Sequence, residues 1–448
     1  MNFSESFQSS RHLVRFSPDG LFLASSSQHR VVIRDSSTLE IQHIHTCLDP
    51  VQDMEWSPDS SLLMCALYKR GIVQIWSMDQ PEWNCKIDEG SSRLIGCYWS
   101  ADSRHVLTMS DFHLRLTLWS LVNKTVSYIK YPKLTRGGLE FSPDGQYMAL
   151  AERRECKDHI SIFNTEKWSL LHHFPLDTKD LIGLSWSPNG SVICTWDSCL
   201  YYQLFLYSLD GRRIASYTPY SEPHHYSLGL RSVSWSPTGQ FLAIGGYDQK
   251  LRLLNHMTWK TIAELDHPGI IESQVGVAIY REVEKQVGPV DPATLSLLTT
   301  SVFPVQSKYE TQEPPVTLLS IKPDPTKANP KIGIKSISFS KDNSYFVSYN
   351  ENVPTTLWIW SIKASLVALL IHINPIRDFQ WDPIQSRLAI CTNNGRLYLW
   401  SPAGVVSVVV PADPPIAIQK LQWHPSGRSI ALIGSTHFSI CFTDTASS

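Results

Sequence analysis

The residues that most often carry out chemistry in proteins do not form a catalytic pattern in this sequence. It contains no Gly-x-Ser-x-Gly, no phosphate-binding Gly-x-x-x-x-Gly-Lys, no His-Glu-x-x-His and no dinucleotide-binding glycine motif. Three histidine pairs are present: His43 with His45, His172 with His173, and His224 with His225. Adjacent strand residues point to opposite faces, and His43 with His45 has no further ligand at suitable spacing. We therefore expect a protein without enzyme activity, metal or cofactor.

Basic and aromatic side chains that could hold a partner occur in short segments with turn character. The candidates are Lys69, Arg70, Trp83, Arg153, Arg154 and Lys157. Clustered cations favour acidic partners, although a solvated turn is the commoner explanation. Trp83, in MDQPEWNC, is either an exposed anchor for a partner or a buried residue of an outer strand. We expect reversal of the charges of Arg153 and Arg154 to weaken partner binding and to leave folding intact.

A repeated unit positions these candidates. An aromatic residue followed by turn residues, as in WSPDS or FSPDG, recurs at Phe16, Trp56, Trp99, Phe141, Trp186, Trp235, Phe339, Trp381 and Trp423. Successive copies of this anchor residue are 40, 43, 42, 45, 49, 104, 42 and 42 positions apart. Alternating apolar strands flank each anchor, and a third strand such as VQIWS or LWIWS follows. This period and strand pattern are typical of WD-type β-propeller blades.

The repeats predict an all-β protein, a WD-type β-propeller of about nine four-stranded blades. We expect one closed ring in which the N-terminal segment Asn2 to Phe7 completes the last blade, because that blade ends after its third strand. An eight-bladed ring with one repeat displaced is the alternative. Blades one to six occupy residues 1–267, and blades seven to nine occupy residues 333–448 of the same ring.

Residues 268–332 form an insertion in the 104-residue step. Strands are expected over Val275 to Glu284 and Pro315 to Lys322, with a mixed, proline-bearing segment between them. A flexible surface loop and a partner-binding arm are both compatible with such a segment. The insertion is therefore predicted to be partly extended and partly flexible.

Composition limits the class of partner. The formal net charge is -2, and 18% of the residues are charged, so no general attraction to nucleic acid or to an anionic membrane follows. The nine cysteines include no Cys-x-x-Cys pair, which indicates reduced thiols. The polar N-terminus lacks signal-peptide character, and the apolar stretches are too short to span a bilayer. We expect a soluble, intracellular protein.

The WD signature is weak at its polar positions. Third strands usually end in Trp-Ser, at Trp76, Trp119, Trp360 and Trp400. Asp49-Pro50, Asn374-Pro375 and Asp413-Pro414 stand where Gly-His is usual. The aspartate of the tight turn is clear at Asp248. The buried His–Asp network of regular WD repeats is therefore predicted to be absent from most blades.

Several long segments resemble one WD family. They include ALYKRGIVQIWSMDQPEWNCKIDEG from Ala66, MALAERRECKDHISIF from Met148 and LAICTNNGRLYLWSPAG from Leu388. These are similar to the WD-repeat protein eight family of the centrosome and spindle pole. The resemblance implies a non-catalytic adaptor in the cytoplasm and cytoskeleton, at the centrosome, pericentriolar satellites and spindle pole. It also implies a coiled-coil microtubule-anchoring partner, possible minus-end-directed kinesin and other centrosomal partners, and roles in tethering microtubule minus ends, spindle organisation and cilium assembly.

Two other functions remain open from the sequence. A nine-bladed WD-like ring also occurs in an initiation-factor family, which would make this an RNA- or ribosome-associated propeller; the balanced charge disfavours that interpretation. A ubiquitin-ligase substrate receptor is the second alternative. Such receptors often carry Trp-Asp-x-Arg at the ends of third strands, where this chain has Trp-Ser.

Overall fold

The computed structural model describes residues 1–90, 93–135, 137–220, 228–272, 276–286, 305–324, 326 and 331–443. Within these ranges the chain is built from β-strands and two single-turn 3₁₀ helices, η1 (Tyr68–Arg70) and η2 (Asp111–His113). No helix in the described part has the length and apolar character needed to cross a membrane. The histidine pair His224 and His225 lies outside the described residues.

The first strands are β1 (Asn2–Phe3) and β2 (Phe7–Gln8). Sheet 1 contains β3 (Val14–Phe16), β4 (Phe22–Ser27), β5 (Arg30–Asp35) and β6 (Ile41–Thr46). Sheet 2 contains β7 (Asp53–Trp56), β8 (Leu62–Leu67), β9 (Ile72–Ser77) and β10 (Asn84–Asp88). Sheet 3 contains β11 (Leu94–Trp99), β12 (His105–Ser110), β13 (Arg115–Ser120) and β14 (Val126–Lys130).

Sheet 4 contains β15 (Leu139–Phe141), β16 (Tyr147–Arg154), β17 (Lys157–Asn164) and β18 (Leu170–Pro175). Sheet 5 contains β19 (Leu181–Trp186), β20 (Val192–Asp197), β21 (Leu204–Ser208) and β22 (Arg213–Tyr217). Sheet 6 contains β23 (Leu230–Trp235), β24 (Phe241–Gly246), β25 (Lys250–Asn255) and β26 (Thr261–Asp266). The inserted strands follow: β27 (Ile270–Ile271), β28 (Ala278–Gln286), β29 (Val305–Gln312) and β30 (Val316–Thr317).

Sheet 7 contains β31 (Ile334–Phe339), β32 (Tyr345–Asn350), β33 (Thr356–Ser361) and β34 (Leu366–Ile371), extended by β28 and β29. Sheet 8 contains β35 (Asp378–Trp381), β36 (Leu388–Cys391), β37 (Arg396–Ser401) and β38 (Gly404–Val409). Sheet 9 contains β39 (Lys420–Trp423), β40 (Ser429–Ile433) and β41 (His437–Phe442). In the described residues the protein is therefore all-β with nine WD-type propeller blades, as predicted.

Each anchor motif forms the first turn of its sheet. In sheet 2 the Ser57 hydroxyl donates to Asp59 Oδ1 over 2.6 Å and accepts the backbone N–H of Leu62 over 2.9 Å. A serine and an aspartate separated by proline therefore close the hairpin between first and second strands, as their side chains do in isolated turns. The next sheet reinforces the turn, because the Asp59 N–H donates to Ser103 Oγ over 3.0 Å.

The anchor tryptophans join neighbouring sheets. An indole N–H donates to the backbone carbonyl just before the preceding anchor in five cases: Trp56 to Arg15, Trp99 to Glu55, Trp186 to Glu140, Trp381 to Ser338 and Trp423 to Gln380. Apolar residues fill the space between the sheets. Leu107 and Leu116 of sheet 3, for example, share one buried cluster with Met148 and Leu150 of sheet 4. Each blade thus needs its neighbour to bury its faces.

The N-terminal strands complete the last blade. Asn2 pairs with Phe442 and Phe7 pairs with Phe438, both in antiparallel register with β41. The Ser4 N–H donates to the Ile440 carbonyl over 2.9 Å. The predicted role of the N-terminal segment is confirmed, and β41 has no open edge along this stretch.

The insertion adds two strands to sheet 7. β28 pairs in parallel with β34, from Ala278 opposite Ala368, and β29 pairs antiparallel with β28. The first expected strand is present from Ala278, and Val275 lies outside the described residues. In the second, Val316–Thr317 alone is a strand, and it pairs with β27. β29 forms instead from 305–312, where the sequence shows no clear period. Residues 287–304 lie outside the described part of the chain.

Among the described residues, polar networks resembling those of WD repeats occur in sheets 7 and 3, and the network of sheet 7 contains histidine. In sheet 7 Ser348 Oγ receives the Trp360 indole N–H over 2.8 Å and lies 2.7 Å from His267 Nε2. In sheet 3 Trp119 donates to Thr108 Oγ1 over 2.8 Å, and Thr108 in turn donates to Glu89. A carboxylate thus takes the place of the histidine there.

The chain divides into two compact units. Unit 1 consists of Met1–Val14, Gln249–Arg252 and Ala263–Ser448, and unit 2 consists of Arg15–Asp248 and Leu253–Ile262. The domain boundaries expected from the sequence and the single ring remain predictions.

Candidate partner-binding surface

The predicted basic residues lie in the turn between the second and third strands of two sheets. Lys69 and Arg70 belong to η1, which joins β8 to β9. Arg153 and Arg154 end β16, and Lys157 begins β17. All five side chains are exposed. The two turns therefore occupy equivalent positions in sheets 2 and 4.

The equivalent turn of sheet 3 presents apolar side chains to solvent. Phe112 is 81% exposed and Leu114 is 67% exposed. Phe112 and His113 have φ angles of 61° and 51°, in the left-handed region that bulky residues rarely adopt. His113 Nε2 lies 2.7 Å from Thr135 Oγ1, which helps to hold this conformation. This turn was not among the candidates predicted from the sequence, although the aromatic residue between two strands in FHLRLTLW is a visible signal.

The hairpin that carries Arg154 and Lys157 has the same backbone property. Its two central residues, Glu155 and Cys156, have φ angles of 48° and 62°. Arg154 and Lys157 face each other in the β16–β17 register. Two positive φ angles define the tight hairpin that matches strand twist, and it usually contains asparagine or glycine. Strain of this kind, without glycine, is a reason to suspect function at this turn.

Contacts connect the turns of sheets 3 and 4. The Tyr131 N–H points to the Leu114 carbonyl at 3.5 Å, and the Arg153 N–H donates to the Tyr131 carbonyl over 3.1 Å. The Arg154 guanidinium lies 5.4 Å from the centre of the exposed Tyr131 ring, within cation–π range. We call the exposed cations and large apolar side chains of these three turns, together with Tyr131, the basic–aromatic surface: Lys69, Arg70, Phe112, Leu114, Tyr131, Arg153, Arg154 and Lys157.

Internal ion pairs occupy part of the arginine charge. Arg153 lies 3.3 Å from both Asp158 and Asp180, and Lys133 reaches the same two carboxylates at 3.0 and 2.9 Å. The hydrogen bond from Lys133 lowers the pKa of Asp180. Asp158 is buried and also accepts the Leu181 N–H over 2.8 Å. A glutamate at Arg153 would face both carboxylates, so the expectation that charge reversal leaves folding intact is not supported there.

Arg154 has a comparable structural role, because its guanidinium lies 2.6 Å from the buried carboxylate of Glu152. Arg70 pairs with Asp49 over 2.8 Å in an exposed position. Lys69 and Lys157 form no ion pair with any described residue. These two lysines are therefore the cations of the basic–aromatic surface that a partner can reach at least structural cost.

Trp83 lies at the opposite end of sheet 2. It follows β9 in the turn to β10, whereas Lys69 and Arg70 lie between β8 and β9. Its backbone N–H donates to the Gln80 carbonyl over 2.9 Å. Its ring is half-buried against the apolar cluster of sheets 2 and 3. The structure does not bring it together with the basic candidates, and its role as a binding anchor remains a prediction.

In the described residues, no three His, Cys, Asp or Glu side chains are arranged to hold a metal ion. All nine cysteines lie in the described part and are free, and Cys156 is the exposed one among them. Cys156 stands at the tip of the β16–β17 hairpin, between Arg154 and Lys157. The hairpin thus carries a natural position for chemical labelling.

Comparison with known proteins agrees with the blade architecture. The family model described as WD domain, G-beta repeat, matches residues 217–255, the repeat that contains Asp248. The WD repeat-containing protein WRAP73 of Mus musculus is 52% identical over 454 residues, covering 99% of this chain and 96% of the mouse protein. The chain belongs to the WRAP73 family.

More distant likenesses extend over most of the chain. An uncharacterized WD repeat-containing protein of Schizosaccharomyces pombe is 24% identical to this WRAP73-family chain, covering 94% of it and 88% of the yeast protein. The crystal structure of the C-terminal WD40 domain of Sif2 matches with a TM-score of 0.52 at 13% identity, covering 88% of this chain and 96% of that one. The Sif2 likeness concerns the fold alone.

Proposed function

We propose that this WRAP73-family protein is a non-catalytic scaffold at the centrosome and spindle pole. It docks a coiled-coil microtubule-anchoring partner and so tethers microtubule minus ends, with roles in spindle organisation and cilium assembly. A minus-end-directed kinesin and other centrosomal proteins bind the same scaffold. The protein resides in the cytoplasm and cytoskeleton, at the microtubule-organising centre and its pericentriolar satellites.

The basic–aromatic surface is the observation that carries this proposal. Exposed large apolar side chains beside cations are typical of protein interfaces, where aromatic and arginine residues contribute most of the binding energy. Phe112 and Leu114 supply apolar anchors. Lys69 and Lys157, in the equivalent turns of sheets 2 and 4, supply charge that forms no ion pair with a described carboxylate. An amphipathic helix with acidic flanks has the complementary pattern. The resemblance to the WD-repeat protein eight family supports the cellular setting.

A rigid set of blades explains how such a surface serves a scaffold. The turns that carry it extend from strands whose inner residues are fully buried, such as Leu116 and Leu150. Side chains on this support lose little freedom when a partner binds, which favours affinity. Other turns and edges remain available, so several partners can be held at high local concentration.

The proposal is tested by imaging and by crosslinking of the tagged protein in dividing cells. A photocrosslinker attached to Cys156 should capture a coiled-coil protein, and the tagged wild type should concentrate at centrosomes and spindle poles. Phe112→Ser and the double variant Lys69→Glu/Lys157→Glu should each reduce capture at least about tenfold. None of these side chains forms an ion pair with a buried carboxylate in the described part of the chain, so we expect the variants to fold as the wild type does.

Matched controls test whether changes of exposed residues outside the basic–aromatic surface also reduce capture. Met257→Ser changes an apolar residue that is 77% exposed in the third turn of sheet 6, and Lys167→Glu reverses a charge in the third turn of sheet 4. Both should behave as wild type. Absence of the wild-type protein from centrosomes and spindle poles overturns the proposed setting, and equal capture by Phe112→Ser overturns the proposed surface.

A further inference from the structure

Unit 1 contains a cleft that the proposed function does not use. It lies between the starts of β31 and β35 and has a volume of about 650 Å³, within the range of small-ligand and peptide sites. Its lining includes the segment Ile321 to Asp324, Glu351 and Pro354 of the β32–β33 turn, and Pro375 to Phe379. Lys331 and Lys335 complete the rim. We call this feature the lysine cleft.

Hydrogen bonds hold one wall of the lysine cleft in place. The Ile321 N–H donates to the Asn352 carbonyl over 2.7 Å, and the Asn352 amide donates back to the Ile321 carbonyl over 3.4 Å. The buried Asn352 side chain also accepts the Gly333 N–H over 3.0 Å. The opposite wall is fixed by the Ile376 N–H, which donates to the Pro354 carbonyl over 2.9 Å. The cleft is therefore built into the backbone framework of sheets 7 and 8.

The floor of the cleft is apolar. The Tyr349 and Phe379 rings lie 6.3 Å apart, and Ile376 is buried beside them. Pro323, Pro354 and Pro375 line the sides. Aromatic rings and prolines form stiff walls that lose little entropy on binding and accept extended, apolar side chains.

The rim of the cleft is positively charged. Lys322, Lys331 and Arg377 are exposed and form no ion pair with any described residue. The fourth cation, Lys335, lies 3.6 Å from Glu351. The two remaining carboxylates already accept hydrogen bonds, Asp378 from the Leu421 N–H over 2.9 Å and Asp324 from Thr326 over 2.6 Å.

We propose that the lysine cleft binds an extended acidic peptide segment of a partner protein, with an apolar or aromatic residue in contact with Tyr349 and Phe379. Acidic side chains of the segment pair with Lys322, Lys331 and Arg377. An extended segment fits better than a helix, because a helix with its side chains is about 10–12 Å across and the cleft would hold little more than one turn. This inference does not rest on the basic–aromatic surface or on the cellular setting.

A peptide also fits the cleft better than a nucleic acid does. A nucleic acid strand carries one phosphate per nucleotide and would bring some of them close to Asp324, Glu351 and Asp378. A peptide can place neutral residues opposite these carboxylates and acidic residues opposite the cations. The apolar floor further favours a side chain over a phosphate backbone.

The test is fluorescence anisotropy of the full chain with a labelled peptide, Asp-Glu-Asp-Phe-Pro-Asp-Glu. The wild type should bind it, and the peptide with Asn and Gln in place of Asp and Glu should bind at least about tenfold more weakly. Lys322→Glu and Arg377→Glu should each weaken binding of the acidic peptide about tenfold. Arg377→Gln, which places no new carboxylate beside Asp378, should weaken it in the same direction.

Lys363→Glu is the matched control, because Lys363 is exposed in the third turn of sheet 7, at the other end of that sheet. It should bind the peptide as the wild type does, and thermal unfolding should show all variants folded. The proposal is overturned if the wild type does not bind the acidic peptide, or if Lys322→Glu and Arg377→Gln bind it unchanged. Displacement of the peptide by single-stranded RNA at an equal concentration of negative charges would also overturn it.

Discussion

At the residue scale, the anchor tryptophans combine two roles. Each packs as a large apolar side chain, and five of them also donate an indole hydrogen bond to the preceding sheet. Trp235 differs, because its indole nitrogen is buried and has no hydrogen-bond partner among the described residues. Otherwise it resembles Trp381: each is half-buried and packs edge to face with a second tryptophan at 6.0 Å, Trp259 and Trp400 respectively.

This pair allows the hydrogen bond to be measured apart from the packing. Trp381→Phe removes the 3.0 Å bond to the Ser338 carbonyl. Trp235→Phe removes an indole N–H that has no partner among the described residues. We expect Trp381→Phe to lower the free energy of unfolding by about 1 kcal/mol more than Trp235→Phe does. Chemical denaturation measures the difference, and equal losses would show that the indole bonds contribute nothing to stability.

At the element scale, the insertion hairpin is fixed by a buried polar cluster. Glu282 of β28 accepts hydrogen bonds from Ser307 and Tyr398 over 2.6 Å each, and from the Ile373 N–H over 3.0 Å. His372 lies 3.8 Å from the same carboxyl group, and Tyr309 of β29 reaches His372 at 3.0 Å. The cluster connects the hairpin to β34 and to β37 of sheet 8. Specific polar contacts thus hold the two added strands of sheet 7, which has six strands.

Glu282→Gln should detach this hairpin. An amide NH₂ would face either a hydroxyl hydrogen or the Ile373 N–H, so one buried donor would lose its acceptor, at a cost of about 3 kcal/mol. Hydrogen exchange of β28 and β29 should become faster, with smaller effects in sheet 9. Glu284→Gln, an exposed change two residues along the same strand, is the control. Unchanged protection of β28 in Glu282→Gln would contradict the assigned role.

At the scale of the whole molecule, the two units contain buried groups with opposite responses to pH. In unit 1, burial lowers the pKa of His267 to about 3 and that of His372 to about 4, whereas a free histidine titrates near 6.5. In unit 2, burial raises the pKa of Glu140 from 4.5 to about 7. The backbone N–H of Trp186 donates to the Glu140 carboxylate over 2.7 Å, and this hydrogen bond opposes the rise in pKa.

Acidification should therefore destabilise unit 1. Between about pH 4 and 6.5 the unfolded chain binds more protons at these histidines than the folded chain does, so stability falls as the pH is lowered through this window. From pH 7 to about 5.5 the loss is roughly 1 kcal/mol per histidine. Glu140 acts in the other direction, because its folded form binds more protons between 4.5 and about 7. Hydrogen exchange at the two pH values, corrected for intrinsic rates, measures each unit.

Two variants test which titrating groups cause the pH dependence of protection. His372→Gln should reduce the pH dependence of protection in β33 and β34, and Glu140→Gln should reduce the opposite dependence in β15 and β19. A pH dependence that is unchanged in His372→Gln would show that another group is responsible.

The sequence by itself determined the blades. The anchor period, the polar residues of each first turn and the apolar strands are local features, and they predicted nine repeats and the pairing of Phe7 with the last blade. The basic turns of sheets 2 and 4 were also visible, because Lys69-Arg70 and Arg153-Arg154 follow second strands. Their equivalence follows from the repeat alone.

Only the tertiary structure decided which of these residues are available to a partner. Arg153 pairs with Asp158 of its own hairpin and with Asp180, which precedes sheet 5, and Arg154 pairs with the buried carboxylate of Glu152. Phe112 is exposed because two left-handed residues turn it outward, and the segment 305–312 becomes a strand because β28 offers it a partner. The lysine cleft likewise combines segments more than fifty residues apart. Local pattern specifies a repeated strand unit, whereas ion pairs and clefts depend on side chains that meet only after the sheets have packed.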